Sequence, residues 1–280
     1  MHTQSIVFIT GGTSGIGKET VRALATTGAT VVFTARDAKK GEAVQEEITR
    51  ETGNSTVTFL IGDLSSFASI RAVAEEFKKR YSRLDVLINN AGVLPQERQE
   101  SKDGIELNLA VNYLAPFLLT NLLLPVLKQS APSRIINVSS SMYTEGEIRF
   151  DDLESKKSFT KYSAYAQSKL ALLLFTKKLA RDLKGSGVTV NALHPGVIGT
   201  EITMQNVRTM NPLVAFIFKR TFISPAQGAE TSVYLATSPD VANISGEYFE
   251  KKKSVSSAPQ ANDMDVAEKL ETIAKTKVLL

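Results

Sequence analysis

Tyr165 and Lys169 stand four residues apart in residues 160–183, a stretch without Gly or Pro in which Leu170, Leu173, Leu174, Leu179 and Leu183 recur at helical spacing. On such a helix both side chains share one face. Helical side chains lean toward the N-terminus, so the Lys169 stem reaches back over the turn that carries Tyr165. An ammonium held near a phenol favours the phenolate, which suits the tyrosine to proton transfer at an oxygen atom. A free tyrosine titrates near pH 10, and bringing it to neutrality takes about 4 kcal/mol of differential stabilisation. One lysine rarely supplies that much, so a second cationic or hydrogen-bonding group is expected close by. Tyrosine and lysine at this spacing also occur on ordinary surface helices, and the pair alone does not establish a site. Tyr162, the neighbouring tyrosine, has Ala166 four residues on, and Lys161 points back to the helix start as a surface group.

The elements that must position this pair follow from periodicity. Residues 5–9 form a short β-branched and aromatic run that passes into Thr10-Gly11-Gly12-Thr13-Ser14-Gly15-Ile16-Gly17 and then a helix. Strand, glycine-rich turn and helix together make a phosphate site: glycines let backbone N–H groups approach, and the helix N-terminus supplies partial positive charge. A tight turn is the bland account of the same glycines. A second strand at 30–34 ends in Ala35, Arg36 and Asp37, where a dinucleotide's adenosine ribose is normally met. Arginine suits a 2′-phosphate and an acid suits a free hydroxyl, so Arg36 favours NADP over NAD while Asp37 weighs the other way. Helices are expected at 38–50 and 67–81, and strands at 57–61 and 84–88. Asp63, with Leu64, follows the third strand and is placed either to meet adenine or to cap the next helix. The fourth strand ends in Asn89-Asn90-Ala91-Gly92, where small residues allow close backbone approach.

A fifth strand at 134–138 terminates in Ser139-Ser140-Ser141, turn formers of which one hydroxyl has the place to meet a substrate oxygen. A sixth at 188–193 is followed by His194-Pro195-Gly196-Val197 and Thr200. Residues 201–224 are apolar without period, as a flap over an apolar pocket or as plain packing. Pro225 opens a helix to residue 236, and 246–249 is a last strand. The basic run Lys251, Lys252, Lys253 is expected to be solvated, and Asn262 to cap a short terminal helix. Strands alternating with helices mean one doubly wound Rossmann-type parallel sheet of about seven strands, residues 1–250, with a C-terminal extension at 251–280. Ligands bind outside the carboxyl ends of such strands, where every polar cluster named above falls.

Composition narrows the classes. The 280 residues are 42% hydrophobic and 22% charged, ordinary for a globular chain. A net charge of +4 is too small to argue for nucleic acid. With no cysteine and two histidines, His2 and His194, neither a disulfide nor a metal site is expected. Residues 107–127 carry no charge, but Asn108, Asn112, Asn121, Pro116 and Pro125 suit a buried helix better than a lipid-facing one. No signal peptide is recognised, so a soluble, cytoplasmic protein is expected. The apolar faces of 107–127 and of the Tyr165 helix exceed what a sheet covers, which points to a homodimer or homotetramer.

These motifs, TGGTSGIG at 10–17, NNAG at 89–92, NVSS at 137–140, YAQSK at 165–169 and HPG at 194–196, together resemble the short-chain dehydrogenase/reductase family. Within it, GGTSGIGKET, the long gap from Ser140 to Tyr165 and LHPGVIGTEI are similar to the retinol dehydrogenase and WW-domain oxidoreductase branch. The resemblance implies a catalytic set of Asn112, Ser140, Tyr165 and Lys169, with Ser140 taken over Ser139 because the family's serine is second of the pair. It implies that Gly11, Thr13, Ser14, Gly15, Ile16, Gly17, Arg36, Asp63, Leu64, Asn90, Ala91, Gly92, Tyr165, Lys169, Pro195, Gly196, Val197 and Thr200 bind the nucleotide. The implied reaction interconverts an alcohol and a carbonyl on a lipophilic substrate with NADP(H), by hydride transfer with Tyr165 as acid and base. The alternative is a non-catalytic NADP(H)-binding regulator with the same fold.

Overall fold

Short runs rich in Val, Ile and Phe recur between amphipathic stretches, and each becomes a strand of one sheet. In this computed structural model, which describes residues 5–197 and 222–280, seven strands run parallel. They are β1 (Ile6–Ile9), β2 (Thr30–Ala35), β3 (Val57–Ile61), β4 (Val86–Asn89), β5 (Ser133–Val138), β6 (Val188–His194) and β7 (Tyr248–Glu250). Their order is β3-β2-β1-β4-β5-β6-β7, so the chain reverses its winding between β1 and β4. That reversal opens a crevice at the carboxyl ends of the strands.

The helices α1 (Gly15–Thr26), α2 (Ala38–Thr52) and α6 (Pro225–Thr237) share one core with Val7, Ile9, Val31 and Phe33 on one face of the sheet. On the other face, α3 (Phe67–Arg80), α4 (Ala115–Gln129) and α5 (Lys161–Asp182) pack on Phe8, Val32 and Leu87. A buried polar ladder runs through this second layer. Asn89 donates to Asn137 Oδ1 across β4 and β5 (2.8 Å) and to Thr120 of α4 (3.0 Å), while Asn137 donates to Thr176 of α5 (2.8 Å). Interior amides need partners, so the ladder fixes how both helices sit on the strands.

Three expectations are corrected here. An eighth strand, β8 (Lys253–Val255), pairs antiparallel with β7, because the basic run turns back as a hairpin: Lys251 and Lys252 take φ of 46° and 65°. Its three residues, two of them exposed, carry no pattern to reveal it. Prolines ordinarily interrupt a helix, but Pro116 and Pro125 do not interrupt this one. A π-helical turn, Leu109–Leu114, leads straight into α4, Pro116 lies in that helix's first turn, where a missing N–H is harmless, and Pro125 is exposed. Residues Leu109–Gln129 have the length and hydropathy of a membrane span, yet they are 72% buried within the protein.

The third correction is the chain's end. Asp263, rather than Asn262, caps a 15-residue helix, α7 (Met264–Val278), whose Ala267, Leu270, Ala274 and Val278 are buried. It packs against α5, every residue of which from 166 to 176 is buried within this single chain. The apolar face of α5 expected to meet a partner subunit is therefore covered by the protein's own α7.

Candidate active site

The glycine-rich turn closes back upon itself. Gly11 and Gly15 have φ of 72° and 54°, in the left-handed region, and a side-chain carbon on Gly17 would overlap the Gly11 carbonyl. Ser14 is extended at the N-cap of α1 but makes no side-chain cap, so the helix's positive end faces the crevice uncapped by its own residue. Thr34 Oγ1 accepts Gly11 N–H at 2.9 Å, and Thr10 Oγ1 accepts from Asn90 N and Ala91 N at 3.0 and 3.1 Å. Asn90 Nδ2 donates to Thr10 O at 2.9 Å and so braces the turn from behind. Thr13 and Ile16 are half-buried at the rim. This cradle, without room for side chains and backed by a helix N-terminus, fits a dinucleotide's pyrophosphate.

Around it, Arg36 is exposed at the end of β2, while Asp37 turns away and accepts Lys40 N–H at 2.8 Å as the cap of α2. Of the two readings of Asp63, the cap is the one its bonds display. Its carboxylate takes Ser65 N and Oγ at 3.0 and 2.7 Å and pairs with Lys102 at 2.9 Å. Burial pushes this carboxyl up, and the bonds from Ser65 and Lys102 outweigh it, leaving the group below its ordinary range. Leu64 beside it is buried in the core.

Four side chains from three elements meet at the β4–β5 end of the crevice. Ser140, just past β5, accepts Met142 N–H at 3.2 Å and is hydrogen-bonded to the Tyr165 phenol. Ser139 Oγ instead donates to Lys169 O at 3.2 Å, inside the protein. Lys169, 3% exposed, donates to Val138 O at 2.9 Å, and its Nζ stands 5.6 Å from the centre of the Tyr165 ring. Asn112, in the π-helical turn, accepts Val93 N–H at 2.8 Å and donates to Val93 O and Ser168 Oγ, both at 3.0 Å. Gly92 makes room: a side-chain carbon there would lie 3.3 Å from Asn112 Oδ1 and 3.4 Å from Lys169 Nζ. After β6, Gly196 has φ of 92° and Val197 O accepts Ile223 N–H at 3.0 Å, with Pro195 half-buried beside them. Thr200 and residues 201–221 of the expected flap lie outside the described residues.

A model of the short chain dehydrogenase family matches residues 5–211. The chain belongs to this family. It is 43% identical to human retinol dehydrogenase 14, over 99% of this chain and 87% of that one. Among solved structures, it is similar to an uncharacterized protein from Mycobacterium paratuberculosis, with a TM-score of 0.80, 31% identity and 99% and 94% of the two chains covered. It is also similar to the Pseudomonas aeruginosa RhlG/NADP active-site complex, with a TM-score of 0.72, 28% identity and 89% and 97% covered. The chain is thus an oxidoreductase of the short-chain type within a retinol dehydrogenase-like branch, and its class of reaction is alcohol–carbonyl oxidoreduction.

The electrostatics of this short-chain dehydrogenase differ from the simple expectation for its tyrosine–lysine pair. Burial pushes the Tyr165 phenol above its ordinary value, against the pull of the Ser140 hydrogen bond. Burial also lowers Lys169 to about 8. The ammonium stands 5.6 Å from the ring centre, and burial favours the neutral phenol. Of the second cationic or hydrogen-bonding group expected from the sequence, the described residues supply the Ser140 hydroxyl.

Several supporting groups escaped the sequence reading. Thr10, Thr34 and Ser168 sit inside or beside motifs read for their glycines and charges, and polar residues within otherwise apolar elements were the available signal. His194 Nδ1 accepts Ser141 N–H at 3.2 Å. Burial lowers this imidazole against the opposing pull of Glu250, which keeps it neutral and able to accept.

Holding Lys169 at about 8 rather than 10.5 corresponds to about 3 kcal/mol against its charged form in the bare protein. The folded pKa lies below the unfolded one, so between about 8 and 10.5 the unfolded chain binds more protons and stability rises with pH. Below that window the penalty is complete. Lys169→Met is therefore expected to raise the melting midpoint of the bare protein at pH 7, on the order of 5 °C. That gain should shrink as pH rises from 8 to 10, as scanning calorimetry at several pH values can measure. A lower midpoint at pH 7, or a gain independent of pH, contradicts the assignment.

Proposed function

We propose that this protein is an NADP(H)-dependent enzyme that interconverts an alcohol and its aldehyde or ketone on a lipophilic substrate, with Tyr165 as the acid and base. The observation that carries the reading is the Tyr165 phenol bonded to Ser140 beside the buried Lys169, at the crevice that holds the nucleotide cradle. A bound nicotinamide supplies or accepts the hydride at the carbon bearing the reacting oxygen. In the reductive direction Tyr165, neutral in the resting site, gives its proton to that oxygen, and Ser140 orients the oxygen by hydrogen bonding. Lys169 would hold the ribose hydroxyls of a bound nicotinamide nucleotide and favour the phenolate left behind. Asn112, fixed at both ends of its amide, anchors a water path by which Lys169 reaches solvent. Oxidation uses the same groups in reverse.

The lipophilic substrate is supported by the likeness to retinol dehydrogenase 14, whose name gives it a long apolar alcohol, and by the aperiodic apolar residues 201–224. Gly11, Thr13, Ser14, Gly15, Ile16 and Gly17 would hold the pyrophosphate, Leu64, Asn90 and Ala91 the adenosine side, and Pro195, Gly196, Val197 and Thr200 the nicotinamide side. The four reacting groups belong to one chain, so turnover needs no residue from a second subunit. If the protein were a regulator that binds NADP(H) without turnover, cofactor would bind tightly while no aldehyde, ketone or alcohol was converted.

Tyr165→Phe is expected to lower kcat at least about a thousandfold while cofactor binding, followed by fluorescence, stays within about threefold. Near-normal turnover in this variant would refute the mechanism. Arg36 is expected to choose the cofactor. A guanidinium forms a bidentate, charge-assisted pair with a 2′-phosphate, worth about 1.5 to 3 kcal/mol, or roughly ten- to a hundredfold in affinity. Asp37 does not offset it, being engaged as the α2 cap. The wild type should prefer NADPH by at least about tenfold in kcat/KM, and Arg36→Ala should remove most of that by weakening NADPH use. Equal efficiency with NADH and NADPH in the wild type would show Arg36 to be a surface charge.

A further inference from the structure

The turn that carries Ser140 is gripped from outside by the end of the chain. Ser140 is followed by one 3-10 turn, Ser141–Glu145. On its inner side this turn is pressed onto α5, since a side-chain carbon on Gly146 would lie 2.6 Å from Ala166 O. On its outer side stands Tyr143, 3% exposed, whose N–H donates to Ser140 O at 3.1 Å and whose ring meets Tyr248 edge-on at 5.0 Å. Its phenol oxygen accepts Ala258 N–H at 3.0 Å. Gln260 Nε2 donates to Thr144 O at 2.8 Å, and Ala261 is fully buried. From there α7 crosses the other carriers of the site. Leu270 O accepts the Tyr113 hydroxyl at 3.4 Å, next in sequence to Asn112, and Glu271 and Glu268 pair with Lys178 and Arg181 of α5 at 2.6 and 2.5 Å.

Every one of these bonds ends on an element that bears Ser140, Asn112 or Tyr165, and none of them closes the sheet. We propose that Tyr143 is a positioning residue through which the C-terminal segment, by way of Ala258, clamps the Ser140 hydroxyl in line with Tyr165. The inference rests on the reading of Ser140 given above. The turn is five residues long, and Met142 and Tyr143 within it donate to Ser140 Oγ and O. Releasing Tyr143 loosens both bonds at once. Misplacement of an orienting group by about 1 Å costs up to roughly a hundredfold in rate without touching the groups that bind substrate or cofactor elsewhere.

Two full-length variants delete the same hydrogen bond from opposite ends. Tyr143→Phe removes the acceptor, and Ala258→Pro removes the donor at a residue whose φ of −59° proline adopts. Each is expected to lower kcat about 5- to 30-fold while the cofactor KM stays within about twofold, and the double variant should be no slower than the slower single one. Wild-type kcat in both single variants, additive losses in the double variant, or equal changes in kcat and cofactor KM would overturn the clamp. Ser140→Ala, assayed alongside, separates the two claims. Wild-type kcat in Ser140→Ala overturns the role of Ser140 itself, whereas a crippled Ser140→Ala beside fully active Tyr143→Phe and Ala258→Pro overturns the clamp alone.

Discussion

The structure is organised around the cost of keeping a lysine ammonium inside it. Lys169 is 3% exposed, its ammonium donates to the carbonyl of Val138, and burial drags it to about 8. A buried charge with so little compensation is tolerated where function requires it, and the surrounding fold must be rigid enough to hold it. That is the work of α5. Its residues 166–176 are enclosed on all sides, so the lysine cannot swing out to solvent. The same helix delivers Tyr165 one turn earlier, and the carboxyl end of β5 delivers both the accepting carbonyl and Ser140.

Enclosure needs registration as well as apolar packing. The ladder of Asn89, Asn137, Thr120 and Thr176 pins α4 and α5 to the central strands, and Ser139 adds a bond from β5's end to the Lys169 carbonyl. Asn112 is fixed through Val93 to the loop that follows β4. The candidate reacting groups thus come from three elements locked to one another by side-chain hydrogen bonds, while the glycine cradle is a backbone turn braced from behind by Thr10, Thr34 and Asn90. The two sides of the crevice thus differ in build: glycines where a side chain has no room on one, and side chains held by hydrogen bonds on the other.

What the sequence revealed was what is local. The Tyr165–Lys169 spacing, the glycine turn between β1 and α1 and the alternation of strands and helices are all readable within windows of a few to twenty residues, because hydrogen-bond periodicity and glycine φ angles are local constraints. The failures share the opposite character. Asn112, in the π-helical turn, is fixed by Val93, nineteen residues away, and β8 exists through its pairing with β7. The packing of α7 on α5 depends on contacts between residues nearly ninety apart, such as Arg181 and Glu268. Asp37 and Asp63 were visible, but nothing short of their bonds could say that each caps a local turn. The Tyr165–Lys169 spacing was legible; that burial would push the phenol up, against the Ser140 hydrogen bond, was not.

The central claim is that the protein alone holds Tyr165 as a neutral phenol, and that a second positive charge must arrive before it can act as a base. Ultraviolet difference titration of wild type against Tyr165→Phe, with and without saturating NADP+, isolates this one phenol. In the bare protein no phenolate assigned to Tyr165 should appear below about pH 10, and with the oxidised cofactor its midpoint should fall by at least about 2 pH units. A Tyr165 phenolate already present near neutral pH in the bare protein, or a midpoint unmoved by NADP+, would contradict the account.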